Sequence, residues 1–184
     1  MSLNLVRAVA RVENMDELHL ARLLVLLRTI DRGRGKTVEG ITKLAKLDFL
    51  LRYPNCLERV LKALNIDPTK AEIKPFERSS IETKMIRFRY GPWDGRYRRW
   101  IALLVGKGLV TTYVQGKTVH VGLTDSGKEI SKIISNREEY RDIDRRSNLL
   151  LKSVGNFSAT KLKNFVYDTF PELLNMKWGE KITI

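Results

Sequence analysis

The stretch Lys107–Glu129, which reads KGLVTTYVQGKTVHVGLTDSGKE, decides the fold prediction. It contains two runs rich in valine and threonine, Leu109–Val114 and Lys117–Leu123, and such runs are typical of β-strands. Gln115 and Gly116 stand between the runs and indicate a tight turn. The sequence therefore predicts an antiparallel β-hairpin.

A helix is predicted on each side of this hairpin. Arg96–Gly106 has apolar residues at helical spacing, and Gly108 follows as a C-terminal cap. After the hairpin, Thr124 caps a helix that continues to about Ile134. Helix, hairpin and helix form the second half of a winged helix, in which the helix before the wing enters the DNA major groove. The inward faces are expected to hold Tyr97, Trp100, Ile101, Leu104 and Val105 in the first helix and Ile130, Ile133 and Ile134 in the second.

The rest of the chain is predicted to be mostly helical because its apolar residues recur at helical spacing. The N-terminal helices are predicted at Asp16–Asp31, Glu39–Tyr53 and Asn55–Leu64, followed by a loop at Asp67–Ser80, a strand at Glu82–Phe88 and a turn at Tyr90–Gly95. The C-terminal part has a charged segment, Asn136–Ser147, an apolar segment, Asn148–Val154, and a helix capped by Ser158.

These segments predict a mainly α fold with a small β-hairpin wing, which is an α+β winged helix with N-terminal and C-terminal helical additions. The predicted divisions are an N-terminal helical region at residues 1–78, a winged-helix region at 79–135 and a C-terminal helical extension at 136–184. The three regions can pack as one compact domain.

Composition narrows the function classes. The chain has 184 residues, of which 43% are hydrophobic, and a formal net charge of +13. Its one cysteine, Cys56, excludes an internal disulfide and fits a reducing compartment, so a cytoplasmic location is expected. The two histidines and one cysteine exclude a four-ligand Cys/His zinc site within one chain. The longest apolar runs are about five residues, and because a membrane span needs about 20, none is expected.

The positive charge is concentrated around the predicted recognition helix. From Lys84 to Lys117 the chain has eight basic residues and one acid, Asp94, a net charge of +7. Such a cluster indicates a surface for nucleic acid or for an acidic partner, and arginine suits phosphate and guanine edges. A solvated helix face is the competing interpretation, but such a face mixes both signs of charge, as Asn136–Ser147 does. The candidate binding residues are Lys84, Arg87, Arg89, Arg96, Arg98, Arg99, Lys107 and Lys117, together with His120 in the wing.

Aromatic residues lie among these cations. Trp100 aligns with Leu104 and is predicted to be buried rather than to stack on a base. Tyr90 and Trp93 flank glycine and proline in the predicted turn. They either fill a packing gap or contact a partner protein, and the sequence leaves both readings open.

No enzyme signature is present. Gly35, Lys36 and Thr37 resemble the end of a phosphate-binding loop, but that motif needs a glycine where this chain has Ile30, and it needs a preceding strand. His19 is predicted to be a buried structural histidine and Cys56 a buried structural cysteine. The sequence therefore predicts no catalytic residue, no metal site, no cofactor and no small-molecule substrate.

Three stretches resemble a known protein family. They are GITKLAKLDFLLRYPNCLERVL at Gly40–Leu61, RFRYGPWDGRYRRWIALLVGKGLV at Arg87–Val110 and LKNFVYDTFPELLNMKWGEKI at Leu162–Ile182. Together they resemble the small middle subunits of prokaryotic three-component ABC-ATPase systems, including the accessory subunit of Lamassu-type defence complexes.

The resemblance implies a non-catalytic winged-helix subunit of an anti-phage or anti-plasmid complex. Its expected partners are an SMC-like ATPase, contacted at the head or neck, and an effector subunit such as a nuclease, with DNA as a further ligand. The family supplies no catalytic residues. Candidate protein-interface residues, in the stretches that match best, are Tyr90, Trp93, Phe170 and Trp178.

Two other functions compete with this one. A dimeric winged-helix transcriptional regulator would use the same helix and wing to bind a specific DNA sequence. A nuclease or a nucleotide-binding enzyme is disfavoured, because the catalytic motifs are absent.

Overall fold

A computed structural model of the chain describes residues 16–79, 85–88 and 91–182. The first helix, α1, covers Asp16–Asp31, as the leucine spacing predicts. Leu23, Val25 and Leu26 are all fully buried, although successive residues point about 100° apart around a helix axis. Other elements therefore pack around most of α1.

Proline and glycine set the bounds of the next elements. Helix α2 covers Ile41–Arg52 and helix α3 covers Pro54–Ala63. Pro54 separates them, because proline lacks an amide hydrogen and is tolerated only in the first turn of a helix. Before α2, Val38–Glu39 forms strand β1. The predicted start of this helix at Glu39 is therefore wrong, since the backbone there pairs with the hairpin and turns at Gly40, whose φ is 99°.

The middle of the chain departs from the prediction in detail. Two 3₁₀ helices, Pro68–Ala71 and Pro75–Ser79, occupy much of the segment predicted as a loop. Strand β2, Ile86–Phe88, pairs antiparallel with strand β3, Gly91–Trp93. The second of these strands lies where a turn was predicted. Residues 82–84 of the predicted strand, and Tyr90 of the predicted turn, lie outside the described residues.

Helix α4 and the hairpin follow as predicted. Helix α4 covers Tyr97–Gly106, strand β4 covers Val110–Gln115 and strand β5 covers Thr118–Leu123. The two strands are antiparallel, from Val110 opposite Leu123 to Gln115 opposite Thr118. Strand β1 pairs with the other edge of β5, which gives a three-stranded antiparallel sheet in the order β1-β5-β4.

Four helices complete the described chain: α5 at Asp125–Ser135, α6 at Arg141–Val154, α7 at Ala159–Thr169 and α8 at Glu172–Asn175, with a 3₁₀ turn at Glu138–Tyr140 before α6. Both predicted caps are confirmed. The side chain of Thr124 accepts a hydrogen bond from the amide of Gly127, and that of Ser158 accepts one from the amide of Lys161. These bonds satisfy amides that a helix start leaves without an intrahelical partner.

Of the three isoleucines predicted to face inward from α5, Ile134 packs partly against the core, but Ile130 and Ile133 do not. Ile130 is 39% exposed and Ile133 is 54% exposed. The buried residues of this helix are small ones, Gly127, Ser131 and Ser135. They allow α5 to lie close to the chain beneath it, and that closeness, rather than side-chain hydrophobicity, decides which face is buried.

The core joins all parts of the described chain. Its buried apolar residues come from α1, α2 and α3, from α4 and the hairpin, and from α6, α7 and α8. The fold is therefore mainly helical with a small antiparallel sheet, as the predicted α+β class requires. Within the described ranges, no helix combines the length and the apolar character needed to cross a membrane.

Candidate nucleic-acid interface

Asp94, a carboxylate that is 8% exposed, anchors the start of α4. Its Oδ1 accepts hydrogen bonds of 3.0 Å from the amide and from Nε of Arg96. Its Oδ2 accepts bonds from Nη1 of Arg52 on α2, at 3.0 Å, and from Nη2 of Arg96, at 2.9 Å. Burial alone would raise the pKa of Asp94, but the hydrogen bonds from Arg96 and Arg52 hold the pKa well below its usual range. Asp94 therefore stays ionised and ties α4 to α2.

The inner face of α4 is fixed by two buried aromatic side chains. Tyr97 and Trp100 are fully buried, which confirms the prediction for Trp100. The hydroxyl of Tyr97 donates to Oδ2 of Asp48 at 2.6 Å, and Nε1 of Trp100 donates to Oδ1 of Asp16 at 2.9 Å. Buried polar groups need such partners, so these bonds set the rotation of α4 about its axis.

The outer face of α4 is open to solvent. Arg98, Arg99, Ala102 and Val105 are exposed on it, and Lys107 follows at its end. Val105 was predicted to point inward, and at 40% exposed that prediction is wrong. The buried positions Tyr97, Trp100, Ile101 and Leu104 already complete the inward stripe of the helix, and Val105 lies beyond its edge.

The hairpin projects from the end of this helix. In β4, every residue after Val110 is exposed. The turn consists of Gly116, with a φ of 60°, and Lys117, because Gln115 still pairs with Thr118. A positive φ at the first turn position favours glycine. The turn therefore lies one residue later than predicted and puts the Lys117 ammonium group at the hairpin tip.

The predicted cation cluster is only partly available to a ligand. Arg87 is 8% exposed, its Nε donates to the carbonyl of Leu173 at 2.6 Å, and its guanidinium lies 5.2 Å from the ring centre of Tyr167. As a binding residue Arg87 is therefore a wrong prediction, because it joins β2 to the C-terminal helices. Lys84 and Arg89 lie outside the described residues.

The remaining cations divide into paired and open groups. Arg96 is held by Asp94, and Nη2 of Arg99 lies 2.5 Å from Oδ2 of Asp16. Among the described residues, Arg98, Lys107 and Lys117 have no carboxylate within ion-pair distance. These three, with the 66% exposed side chain of Arg99, are the charges that the helix and hairpin offer to a polyanion.

His120 lies on the covered side of the hairpin, opposite Tyr113 in the half near the turn. It is 9% exposed, and its ring stacks on that of Tyr113 with centroids 4.7 Å apart and planes inclined by 11°. Its Nδ1 lies 3.1 Å from Oγ1 of Thr37, the residue before β1. Little of the His120 side chain is therefore open to a ligand, although the sequence made it a candidate binding residue of the wing.

The predicted protein-interface residues fall into two groups. Phe170 is fully buried, packs edge-to-face on Phe49 and lies under the guanidinium of Arg59, so as an interface residue it is a wrong prediction. Trp178 is 69% exposed and remains available. Trp93 is half-buried against Tyr97, with ring centroids 5.3 Å apart. Tyr90 lies outside the described residues.

Residues that sometimes carry catalysis have structural surroundings here. His19 is buried, stacks on Trp100 at 4.4 Å and has its Nδ1 3.2 Å from Nη2 of Arg22, which confirms the prediction of a satisfied buried histidine. Cys56 is fully buried, and burial raises the pKa of its thiol to about 12, which leaves it unreactive near neutral pH. Within the described part of the chain, no group of three His, Cys, Asp or Glu residues could hold a metal ion.

A second cationic feature escaped the sequence reasoning. Lys36 and Lys43 line a cavity against the turn half of the hairpin. The sequence singled out Lys36 only as part of an incomplete phosphate-binding loop. Lys43 lies on α2, and no spacing rule relates α2 to a hairpin more than 60 residues later.

Comparisons of the chain with protein-family models, with curated proteins and with solved structures find no match. What the chain does is therefore inferred from the geometry and chemistry of its own surfaces.

Proposed function

We propose that this chain is a non-catalytic winged-helix subunit that binds DNA through α4 and the β4-β5 hairpin. The topology supports the winged-helix assignment. In such domains a short strand from the first part of the chain pairs with the second hairpin strand, and the recognition helix directly precedes the hairpin. Here the strand order is β1-β5-β4. Helix α4 ends at Gly106, and strand β4 begins soon after it, at Val110.

The observation that carries the proposal is the outer face of α4. Tyr97 and Trp100 hold the inner face of α4 in the core, so Arg98 and Ala102 lie on its exposed face. Ala102 adds little side-chain bulk between this face and the DNA major groove. Lys107 and Lys117 extend the positive charge along the hairpin. A small, cationic helix face beside a cationic hairpin suits a duplex, because helix side chains reach base edges while the wing contacts phosphates.

The proposed biological role follows the family resemblance. As a Lamassu-type accessory subunit, the chain would bind an SMC-like ATPase beside a nuclease-type effector in a defence complex, and would contact DNA at the same time. The exposed apolar side chains of Leu174, 58% exposed, and Trp178, 69% exposed, support a protein-binding surface at the C-terminal end. They belong to a different part of the chain from α4, so one chain has surface for both ligands.

The DNA-binding proposal is tested with the double variant Arg98→Glu/Lys107→Glu. These two side chains hold no carboxylate among the described residues, so reversing their charge leaves the ion pairs of Asp94 and Asp16 intact. Binding to a duplex, followed by fluorescence anisotropy over a range of salt concentrations, is expected to weaken by at least about tenfold, and the slope of log affinity against log salt should fall by about 2. Lys62→Glu, an exposed lysine at the end of α3, makes a matched charge change away from the site.

Circular dichroism separates loss of binding from loss of fold. Folded protein that keeps full duplex affinity after both charge reversals would contradict the placement of the interface on α4. The accessory-subunit role is checked separately by co-purification with a neighbouring SMC-like ATPase. A dimeric regulator, the competing function, would instead give a stable homodimer and a preference of roughly 10³ or more for one DNA sequence.

A further inference from the structure

A cavity of about 650 Å³ lies against the turn half of the hairpin, where Tyr113, Gln115 and His120 line it, and outside the α4 face. Four parts of the chain contribute most of its walls: the segment from the end of α1 through β1, helix α2, the strands β4 and β5, and the turn between α6 and α7. Its volume is in the range of sites for small ligands, which is roughly 300–1,000 Å³. A cavity enclosed by distant segments presents groups that no single element could bring together.

The charge of the cavity favours an anion. Arg32, Lys36 and Lys43 line it, and Glu39 is the one carboxylate that the described part of the chain contributes to its wall. Among the described residues, none of these three cations lies within ion-pair distance of a carboxylate. Buried and half-buried arginines elsewhere are paired, such as Arg22 with Asp48 and Arg146 with Glu77. Nε of Arg32 donates to the carbonyl of Thr29 at 3.3 Å, which leaves its two terminal nitrogens and the two lysines for a phosphate, an acceptor of several charge-assisted hydrogen bonds.

The cavity also has flat aromatic walls. The stacked rings of Tyr113 and His120 form one side, and their polar atoms are positioned by Thr37, whose Oγ1 lies 3.4 Å from the Tyr113 hydroxyl and 3.1 Å from Nδ1 of His120. Phe157 also lines the cavity, but its ring packs edge-to-face on Phe165 and has the Lys161 ammonium 4.3 Å from its centre. Aromatic rings of this kind can stack on a heterocyclic base.

From the combination of cations and aromatic walls we infer that this cavity binds a nucleotide, with its phosphate on Arg32, Lys36 and Lys43 and its base against the exposed ring of Tyr113. The nucleotide is either free in solution or a unit of a single strand, since both offer the same base and phosphate. The cavity shares Tyr113, Gln115 and His120 with the hairpin of the DNA-binding proposal, but it uses other cations, because its lining does not include Arg98, Lys107 or Lys117.

The test is calorimetric titration of the full chain with adenosine 5′-monophosphate, adenosine, inorganic phosphate and a short oligodeoxyadenylate strand. The monophosphate is expected to bind at least about tenfold more tightly than adenosine or phosphate alone, because stacking and charge both contribute. Strand binding without binding of the free monophosphate supports the cavity site if Lys36→Ala/Lys43→Ala weakens it and Arg98→Glu/Lys107→Glu does not, and the opposite pattern overturns the inference. Phosphate binding as tight as that of the monophosphate, or no binding by any probe, would overturn the inference.

Variants locate the site. The double variant Lys36→Ala/Lys43→Ala is expected to lower the affinity for the nucleotide by about tenfold or more. Lys62→Ala, the matched control outside the cavity, should leave that affinity unchanged. Tyr113→Ala should lower the affinity for the nucleotide but not the affinity for inorganic phosphate. A circular dichroism spectrum and thermal unfolding of each variant check the fold, and the Arg98→Glu/Lys107→Glu protein should keep its nucleotide affinity. If that charge reversal abolishes nucleotide binding while the cavity variants do not, the ligand lies on α4 and the inference is wrong.

Discussion

Lys46 is a lysine of α2 that the core almost encloses. It is 3% exposed, its Nζ donates to the carbonyl of Thr42 at 3.2 Å, and its side chain lies against the backbone of Gly91. Burial, with a smaller effect from Lys163, lowers the pKa of Lys46 to about 8. The folded protein must therefore keep a charge in a poorly solvated place at neutral pH, and this opposes folding.

The substitution Lys46→Met is expected to stabilise the protein at pH 7 by about 1–3 kcal/mol, because it keeps the buried stem and removes the charge. Between pH 8 and the unfolded value of 10.5, the unfolded chain binds more protons than the folded one, so the wild type gains stability as pH rises. The advantage of the variant should therefore shrink by pH 10. Denaturant unfolding at both pH values measures this, with the exposed Lys62→Met as control. An equal gain at pH 7 and pH 10 would mean that packing, and not charge, is responsible.

Single carboxylates decide which cations of the candidate interface remain open. Asp94 forms an ion pair with Arg96, and Asp16 forms one with Arg99. Arg87 instead donates a hydrogen bond to the carbonyl of Leu173. Counting charges along the sequence located the cationic region, but it overcounted the free charges. The partners come from three different elements, and the sequence does not state which acids or carbonyls the fold brings to each arginine.

At the scale of elements, the helices that flank the hairpin use glycine in opposite ways. A Cβ on Gly127 of α5 would lie 1.9 Å from the carbonyl oxygen of Leu109, just before β4. A Cβ on Gly106, at the end of α4, would meet nothing within 4 Å. Neither residue has a positive φ. Close packing of α5 on the residue before β4 therefore requires glycine at position 127. At position 106 there is room for a side chain.

Gly127→Ala is expected to destabilise the protein by about 1–3 kcal/mol, because either the helix or the hairpin strand must move. Gly106→Ala should leave stability unchanged or raise it by up to about 1 kcal/mol, since alanine is the better helix former. Thermal and denaturant unfolding of the two variants form a matched comparison. Equal effects of the two substitutions would show that the contact between α5 and Leu109 does not limit the packing.

The helix faces show what periodicity can and cannot predict. It identified α4 and α5 as helices and placed Trp100 inside, because aromatic and aliphatic residues at helical spacing bury together. It turned α5 the wrong way, since Ile130 and Ile133 form an apolar stripe and Gly127 and Ser131 do not. The close approach at Gly127 outweighs the gain from burying a larger side chain, and this approach depends on a neighbour that is distant in sequence.

At the scale of the whole molecule, Arg146 joins the C-terminal helices to the N-terminal part of the chain. It lies on α6, is 4% exposed, and donates from Nε to the carbonyl of Ala71 at 2.9 Å and from Nη2 to that of Glu72 at 3.1 Å. Its Nη1 and Nη2 also lie 2.7 Å from the carboxylate oxygens of Glu77. One guanidinium thus satisfies acceptors in both 3₁₀ segments, about 70 residues earlier in the chain.

Arg146→Met is expected to lower the free energy of unfolding by about 2–4 kcal/mol, because it leaves two carbonyls and a carboxylate without their donor. Arg141→Met, an exposed position on the same helix, is the control and should cost little. Hydrogen bonds from Arg146 lower the pKa of Glu77, so their contribution is present at neutral pH and is lost as pH falls below about 4. Urea unfolding at pH 7 and pH 3 should show the difference between wild type and variant shrinking in acid. A constant difference would assign the loss to the carbonyl contacts alone.

The sequence by itself determined the elements whose causes are local. Leucine spacing gave α1, proline separated α2 from α3, threonine and serine capped α5 and α7, and the valine-rich runs around Gly116 formed the hairpin. The tertiary structure alone decided that β1 completes the sheet, that Arg87 and Phe170 are buried, and that a cationic cavity with aromatic walls lies below the hairpin. Local propensities act within one turn or one strand, whereas pairing, burial and cavities depend on contacts between residues far apart in the chain, which the folded state selects by its total packing.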